Sequence, residues 1–340
     1  MTFGAASAPP WQAPGTPPVL SQPVVFSNAG AVLRGTLYRP AVSGRVPAVV
    51  VFHAAQVPAA DAPLYAHLRQ GLPAMGIAVL VFDRRGTGQS TGKRNVSYET
   101  FADDGIAGAR AIARLPAIDP KRIGYWGLSQ GGWLAAFAAE RDPQAAFAVS
   151  ISAPLVTPEA QMEFAMANVL HVGGYSRSDI DAMLAARKVW VEYLQGEAPR
   201  SAAVTALSKI DTKPWFDLMY LPSSAQLAAQ PSDPSARKQL LDDPLAAVER
   251  VRVPLLLVYG GEDPWIPVAT TVDRLRSLVK SKPNVEYAVV AGVDHDMRFV
   301  QKETMEVTPA ALARDVPNAP AYFTLLASWL TRQLGSPEPP

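Results

Sequence analysis

The stretch from Arg122 to Trp133, RIGYWGLSQGGW, constrains this chain more than any other. An apolar run enters Gly127-Leu128-Ser129-Gln130-Gly131 and a helix-forming run leaves it, so the pattern G-x-S-x-G stands where a strand turns into a helix. A bend that sharp forces the serine into a strained backbone conformation, and the residues facing each other across it must lack side chains that would collide. Glycines at 127 and 131 meet that need. The bend also lifts the serine hydroxyl clear of the sheet and aims the first amides of the next helix at the same point, where a negatively charged oxygen could be held.

The flanking chain agrees with this placement. Pro23 to Ser27 and Ala31 to Tyr38 read as two strands joined across Asn28-Ala29-Gly30. Arg45 to His53 and Gly76 to Asp83 are continuous apolar, β-branched runs of the kind buried on both faces of a parallel sheet, with a helical stretch over Leu64 to Met75 between them. Arg84 to Gly92 is a loop, followed by an amphipathic helix over Tyr98 to Leu115 with Ser97 as its N-cap. Ile123 to Gly127 is the strand feeding the bend, Gln130 to Glu140 the helix behind it, and Ala146 to Ser152 the next strand. Strand alternating with helix predicts an α/β protein with a mostly parallel, doubly wound sheet.

Alternation stops at Pro154. Up to about Asp243 the segments are helix-like and broken by Gly173-Gly174, Gly196 and several prolines, which predicts a mostly helical insertion over 154–243 lying above the sheet as a cap. The rhythm then resumes with a strand over Val251 to Tyr259, a helix over Val268 to Val279, a strand over Val285 to Val290 and a last helix over Ala321 to Leu334. The core is therefore expected over 21–153 and 244–336, behind an Ala/Pro-rich lead over 1–20.

Composition narrows the partners. With 31 basic and 30 acidic residues the net charge is +1, which advertises neither a nucleic acid nor an anionic membrane. No run is long enough to span a bilayer, so stable membrane insertion is not expected. The absence of cysteine excludes disulfides, thiolate metal sites and cysteine nucleophiles, and with no H-E-x-x-H or paired histidines no metal or other cofactor is implied. Gly86-Thr87-Gly88 has the wrong spacing for a dinucleotide loop. The lead lacks a basic segment followed by an apolar one, so the cytoplasm and export of a processed form both stay open, as does a homo-oligomer.

A serine hydroxyl is a poor nucleophile until a histidine takes its proton and a carboxylate orients that histidine. After the strand ending at Tyr259 comes Gly260-Gly261-Glu262-Asp263-Pro264-Trp265, which puts Asp263 at a strand end with Glu262 as its neighbouring rival. After the next strand comes Ala291-Gly292-Val293-Asp294-His295-Asp296, which puts His295 in the matching loop. His53 reads as a hydrogen-bonding residue at a strand end, and His67 and His171 as helix residues without a catalytic part.

In order and placement these motifs resemble the α/β-hydrolase family over roughly Pro23 to Leu334, and within it capped bacterial esterases and serine-peptidase-like, dienelactone-hydrolase-like members, whose loop after the fourth strand looks like Asp83-Arg84-Arg85-Gly86-Thr87-Gly88-Gln89-Ser90. The resemblance implies an α/β-hydrolase fold with Ser129 as nucleophile, Asp263 as acid and His295 as general base. It also implies an oxyanion hole made by the Gln130 amide and a second amide from the loop after the third strand. That loop usually carries His-Gly, whereas this chain has His53-Ala54-Ala55-Gln56, which leaves Ala55 as the second donor and a methyl at 54 narrowing the acyl pocket. The expected reaction is hydrolysis of a small to medium carboxylic ester, with no cofactor. A peptidase or amidase is the alternative enzyme and would need an anchor for a charged terminus, for which Glu159, Glu163, Asp179 and Asp181 are candidates. A noncatalytic ligand binder is the alternative from another class. Trp190, Trp215, Phe216, Met219, Tyr220 and Trp265 are the candidate pocket lining, with packing of the insertion as the competing role.

Overall fold

All eight expected strands form, and they join one sheet in the order β1-β2-β4-β3-β5-β6-β7-β8. In chain order these are Val19–Asn28, Ala31–Pro40, Val46–Phe52, Ala78–Phe82, Ile118–Leu128, Ala148–Ile151, Leu255–Gly260 and Val285–Val290. The computed structural model describes residues 17–55, 60–231, 240–299 and 318–335. Residues 1–16 of the lead, 56–59 of the β3 loop with Gln56, 232–239 of the insertion, 300–317 and 336–340 lie outside the described residues.

Strands β1 and β2 form an antiparallel hairpin, and β2 runs antiparallel to β4. Every other neighbouring pair is parallel. The continuous apolar runs are explained by helices on both faces. In β3, Ala48, Val50 and Phe52 enter one core while Val49 and Val51 enter the other, and β7 divides in the same way between Leu255, Leu257, Tyr259 and Leu256, Val258. β5 begins at Ile118, ahead of its apolar run, because the register shifts between the Val46–Ile118 and Ala48–Ile123 pairs.

One face is covered by α2 (Tyr98–Ile112) and α3 (Gln130–Arg141), the other by α1 (Ala66–Ala74). Ser97 caps α2 by accepting from the Thr100 amide at 3.2 Å. Between β6 and β7 the chain forms α4 (Pro158–Val172), α5 (Arg177–Gln195), α6 (Arg200–Leu207), α7 (Ser224–Ala229) and α8 (Leu245–Arg250). Helices α4 to α7 share a third core with Met166, Met183, Leu207 and Leu227 among its members. The chain closes with α9 (Val268–Leu278) before β8 and α10 (Pro320–Leu334) after it. No described helix is long and apolar enough to cross a membrane.

Strand order decides where a site can form. β3 passes to β4 on one side, whereas β5 passes to β6 on the other, so the order reverses between β3 and β5. At such a reversal the loops beyond the carboxyl ends diverge to opposite faces and leave a crevice. Ser129 follows β5 and His53 follows β3, which puts both at that crevice.

Candidate active site

Ser129 sits at φ 56° and ψ −123°, a strained conformation for a residue with a side chain. The glycines around it are required by contact: a Cβ on Gly127 would meet the Gly131 carbonyl, and one on Gly131 would meet the Phe52 carbonyl at the end of β3. The Ser129 amide donates to the Ile151 carbonyl at 2.8 Å, so the bend is tied to β6. Leu128 pairs with Ile151, which places Ser129 beside Ser152 on the neighbouring strand end.

The acid and the histidine meet across two loops. Gly261 and Glu262 donate their amides to the carbonyls of Val290 and Val293 at 2.8 Å and 3.0 Å, binding the chain after β7 to the chain after β8. The Asp263 carboxylate is fully buried, accepting from His295 Nδ1 at 2.7 Å through Oδ2 and from the Trp265 amide at 2.8 Å through Oδ1. A carboxylate only accepts, so Nδ1 carries the proton and Nε2 is left as the basic nitrogen. Glu262, the sequence rival, is exposed. The Ser152 hydroxyl donates to the His295 carbonyl at 2.7 Å, which fixes the histidine backbone over the end of β6, one strand from Ser129.

Burial pulls the His295 imidazole down, but the charge of Asp263 and the hydrogen bond to it, with Asp296 and Asp294 nearby, push its pKa up to about 9. Asp294 is itself pushed up to about 6, by burial first and by the Asp296 charge, while accepting from the amides of Asp296 and Arg298 in a local turn. No group of three or more ligating side chains that could hold a metal occurs among the described residues.

Ala55 is exposed in the loop after β3, and the Ala54 amide before it donates to the Tyr65 hydroxyl at 2.8 Å. Gln130 opens α3. His53 is buried at the end of β3, and its carbonyl accepts from Arg84. Its ring packs against Tyr65 and Phe82, its Nε2 has no partner among the described residues, and burial with the charges of Arg84 and Arg69 pulls it down to about 3. His67 is a buried helix residue bonded to the Leu64 carbonyl and the Tyr322 hydroxyl, and His171 lies exposed at the end of α4.

The expected aromatic pocket is corrected by packing. Trp190, Trp215, Phe216 and Met219 are buried in the insertion's own core, and Tyr220 is 56% exposed with φ 52°. Trp265 is the exception, packing against both the sheet core and the insertion core two residues after Asp263. Helix α4 grips that loop: Gln161 donates to the Trp265 carbonyl and Asn168 to the Pro264 carbonyl, each at 3.0 Å. Sequence reasoning missed Ser152, which belongs to no motif, and Arg84, which it placed in a loop without a part of its own; Arg84 bonds Gln130 and the end of β3.

The family model described as X-Pro dipeptidyl-peptidase (S15 family) matches residues 29–293. The chain belongs to that family. An uncharacterised protein of Mycobacterium tuberculosis is 31% identical over 276 residues, 80% of this chain and 71% of that one. The thiohydrolase apmlB of Arthrinium phaeospermum is 33% identical over 135 residues, 39% of this chain and 43% of its own. The chain spans less than half the length of this and other fungal relatives it matches. The α/β hydrolase GrgF from Penicillium sp. superposes with a TM-score of 0.56 at 19% identity, covering 93% of this chain and 99% of that one. A Pyrococcus furiosus esterase superposes with a TM-score of 0.57 at 17% identity, covering 93% and 92%. The fold is thus the α/β-hydrolase fold that the sequence resemblance implied.

Proposed function

We propose that the protein hydrolyses a small to medium carboxylic ester through Ser129, His295 and Asp263. The observation that carries the reading is the 2.7 Å contact between His295 Nδ1 and a fully buried Asp263 carboxylate in the loops after β7 and β8, in a sheet whose β5 ends at the strained Ser129. His295 Nε2 takes the Ser129 proton as Oγ attacks the ester carbonyl, and the amides of Gln130 and Ala55 hold the oxyanion. The alcohol departs with the proton from His295, leaving an acyl group on Ser129. Water, deprotonated by the same histidine, releases the acid and restores the serine. Protein and water supply every group in this sequence, and no cofactor enters it.

Cleavage of a peptide bond is the second reading, favoured by the family's description. Against it stands the state of the acids that could anchor a peptide amine. Glu159 is buried in an ion pair with Arg187, Asp179 accepts from Ser176 and Trp215, and Glu163 and Asp181 are exposed. Rates on 4-nitrophenyl esters of increasing acyl length, beside aminoacyl anilides and acyl thioesters and with a Ser129→Ala control, separate the readings. Faster turnover of esters than of anilides or thioesters, lost in the control, is expected; preference for anilides or thioesters overturns the ester assignment, and an unaffected control overturns the serine mechanism.

A further inference from the structure

Arg84 and Arg85 follow β4 as neighbours and have opposite surroundings. Arg85 is buried and bidentate to Asp104, with Nε to Oδ2 at 2.7 Å and Nη2 to Oδ1 at 2.5 Å. Arg84 has no carboxylate partner among the described residues. Its Nη1 donates to Gln130 Oε1 at 2.6 Å, its Nη2 to the His53 carbonyl at 2.6 Å and more weakly to the Ala54 carbonyl at 3.5 Å. The guanidinium lies 5.1 Å from the centroid of the Phe101 ring. Asp83, the nearest acid in sequence, is occupied by the amides of Ala60 and Gln89.

Those acceptors belong to the two segments that supply the amides of the oxyanion hole in the reading above. Peptide units here are trans, so each N–H points opposite to the carbonyl of its own unit. The first unit shows the consequence: the His53 carbonyl faces Arg84 while the Ala54 amide, on the other side, reaches the Tyr65 hydroxyl. In the second unit the Ala54 carbonyl turns toward Arg84, and the Ala55 amide must point away from it. A loop that lacks the usual glycine thus has its peptide planes set from outside. A planar fork can do this for two segments at once, which a single ammonium cannot.

We propose that Arg84 is a positioning residue for the oxyanion hole: its guanidinium fastens the Gln130 side chain to the carbonyls at the end of β3, holding the Gln130 and Ala55 amides on one point, and its unneutralised charge favours the oxyanion. The inference rests on the serine-hydrolase reading of this site. The role is felt when negative charge develops, so it acts on kcat more than on KM.

Variants Arg84→Met, Arg84→Lys and Gln130→Leu test it, with kcat and KM on a 4-nitrophenyl ester and the affinity of a trifluoromethyl ketone, which forms a tetrahedral oxyanion on the serine. Arg84→Met is expected to lower kcat about 10- to 100-fold and to weaken the ketone by a similar factor, below the loss for deleting a donor outright. KM should move less than about threefold. Arg84→Lys should recover part of the loss through charge alone. Gln130→Leu keeps the backbone amide and should cost less, adding little in the Arg84→Met background because both act through one contact. Parent-like ketone affinity in folded Arg84→Met overturns the inference, as does a kcat loss matched by the loss of folded protein. Should Arg84→Met not fold, full ketone affinity in Arg84→Lys overturns it. An active Ser129→Ala would instead bring down the underlying reading, whereas an inactive Ser129→Ala beside a parent-like Arg84→Met brings down this inference alone.

Discussion

The sheet buries Asp263 beside His295 and the insertion buries Glu159 beside Arg187, and the two pairs differ in what the base can do. In the sheet, Asp263 is fully buried while its partner His295 keeps 16% of its side chain exposed. In the insertion, the Glu159 and Arg187 side chains are 7% and 3% exposed, and Arg187 also donates to the Met219 carbonyl. An imidazole can take and return a proton near neutral pH, whereas a guanidinium cannot. In the proposed mechanism the first pair transfers a proton, whereas the second ties α4 to α5 and to the Met219 carbonyl. Burial of opposite charges therefore identifies a site only when one partner titrates and can be reached.

The largest test of that contrast is Asp263→Asn. The amide keeps the shape but no longer holds the imidazole in the right tautomer, so kcat should fall on the order of 10³- to 10⁴-fold with little change in melting temperature. A loss below tenfold would put the two pairs in the same class. Glu159→Gln is the mirror experiment. It leaves Arg187 buried without its countercharge and should cost about 3–5 kcal/mol in urea unfolding, while the folded fraction keeps kcat within a few fold. A folded but inactive Glu159→Gln would place the insertion pair in the chemistry.

Acidity sharpens the comparison further. His295 must be neutral to act as base, and its pKa is pushed up to about 9 against burial by Asp263 and the flanking aspartates, so kcat/KM should climb with pH on a limb well above 7. The same shift ties stability to pH in one direction. The raised pKa contributes stability that is complete below the unfolded value of about 6.5 and is lost as pH rises from there through about 9. Glu159 is raised chiefly by burial, with Arg187 opposing, and has no part in this limb. A limb centred at or below 6.5 would show that Asp263 does not hold the imidazolium. The smallest effect belongs to the seam between the regions: Asn168→Ala releases the Pro264 carbonyl and should reduce kcat about two- to tenfold by loosening the acid loop, read from initial rates.

The two regions were also unequally legible in the sequence. Strands buried on both faces are written as unbroken apolar runs, so β3, β4 and β7 stood out, and the glycines of the bend record backbone contacts that no side chain could share. Asp263 and His295 were legible because strand ends fix where loop residues fall. The insertion was legible as helices but not as packing: a row such as Trp215, Phe216 and Met219 looks the same whether it lines a pocket or fills a core, and the structure buries it in the core. Arg84 was hidden for another reason. Its partners are two backbone carbonyls and an amide side chain from distant segments, and such contacts leave no spacing in the chain.

The central claim is that Ser129 is a nucleophile driven by His295. Intact-mass measurement after treatment with a fluorophosphonate tests it most directly. One adduct per chain, mapped to Ser129 and formed much more slowly in His295→Ala, is the predicted result. No adduct, an adduct on another residue, or an equal labelling rate in His295→Ala would contradict it.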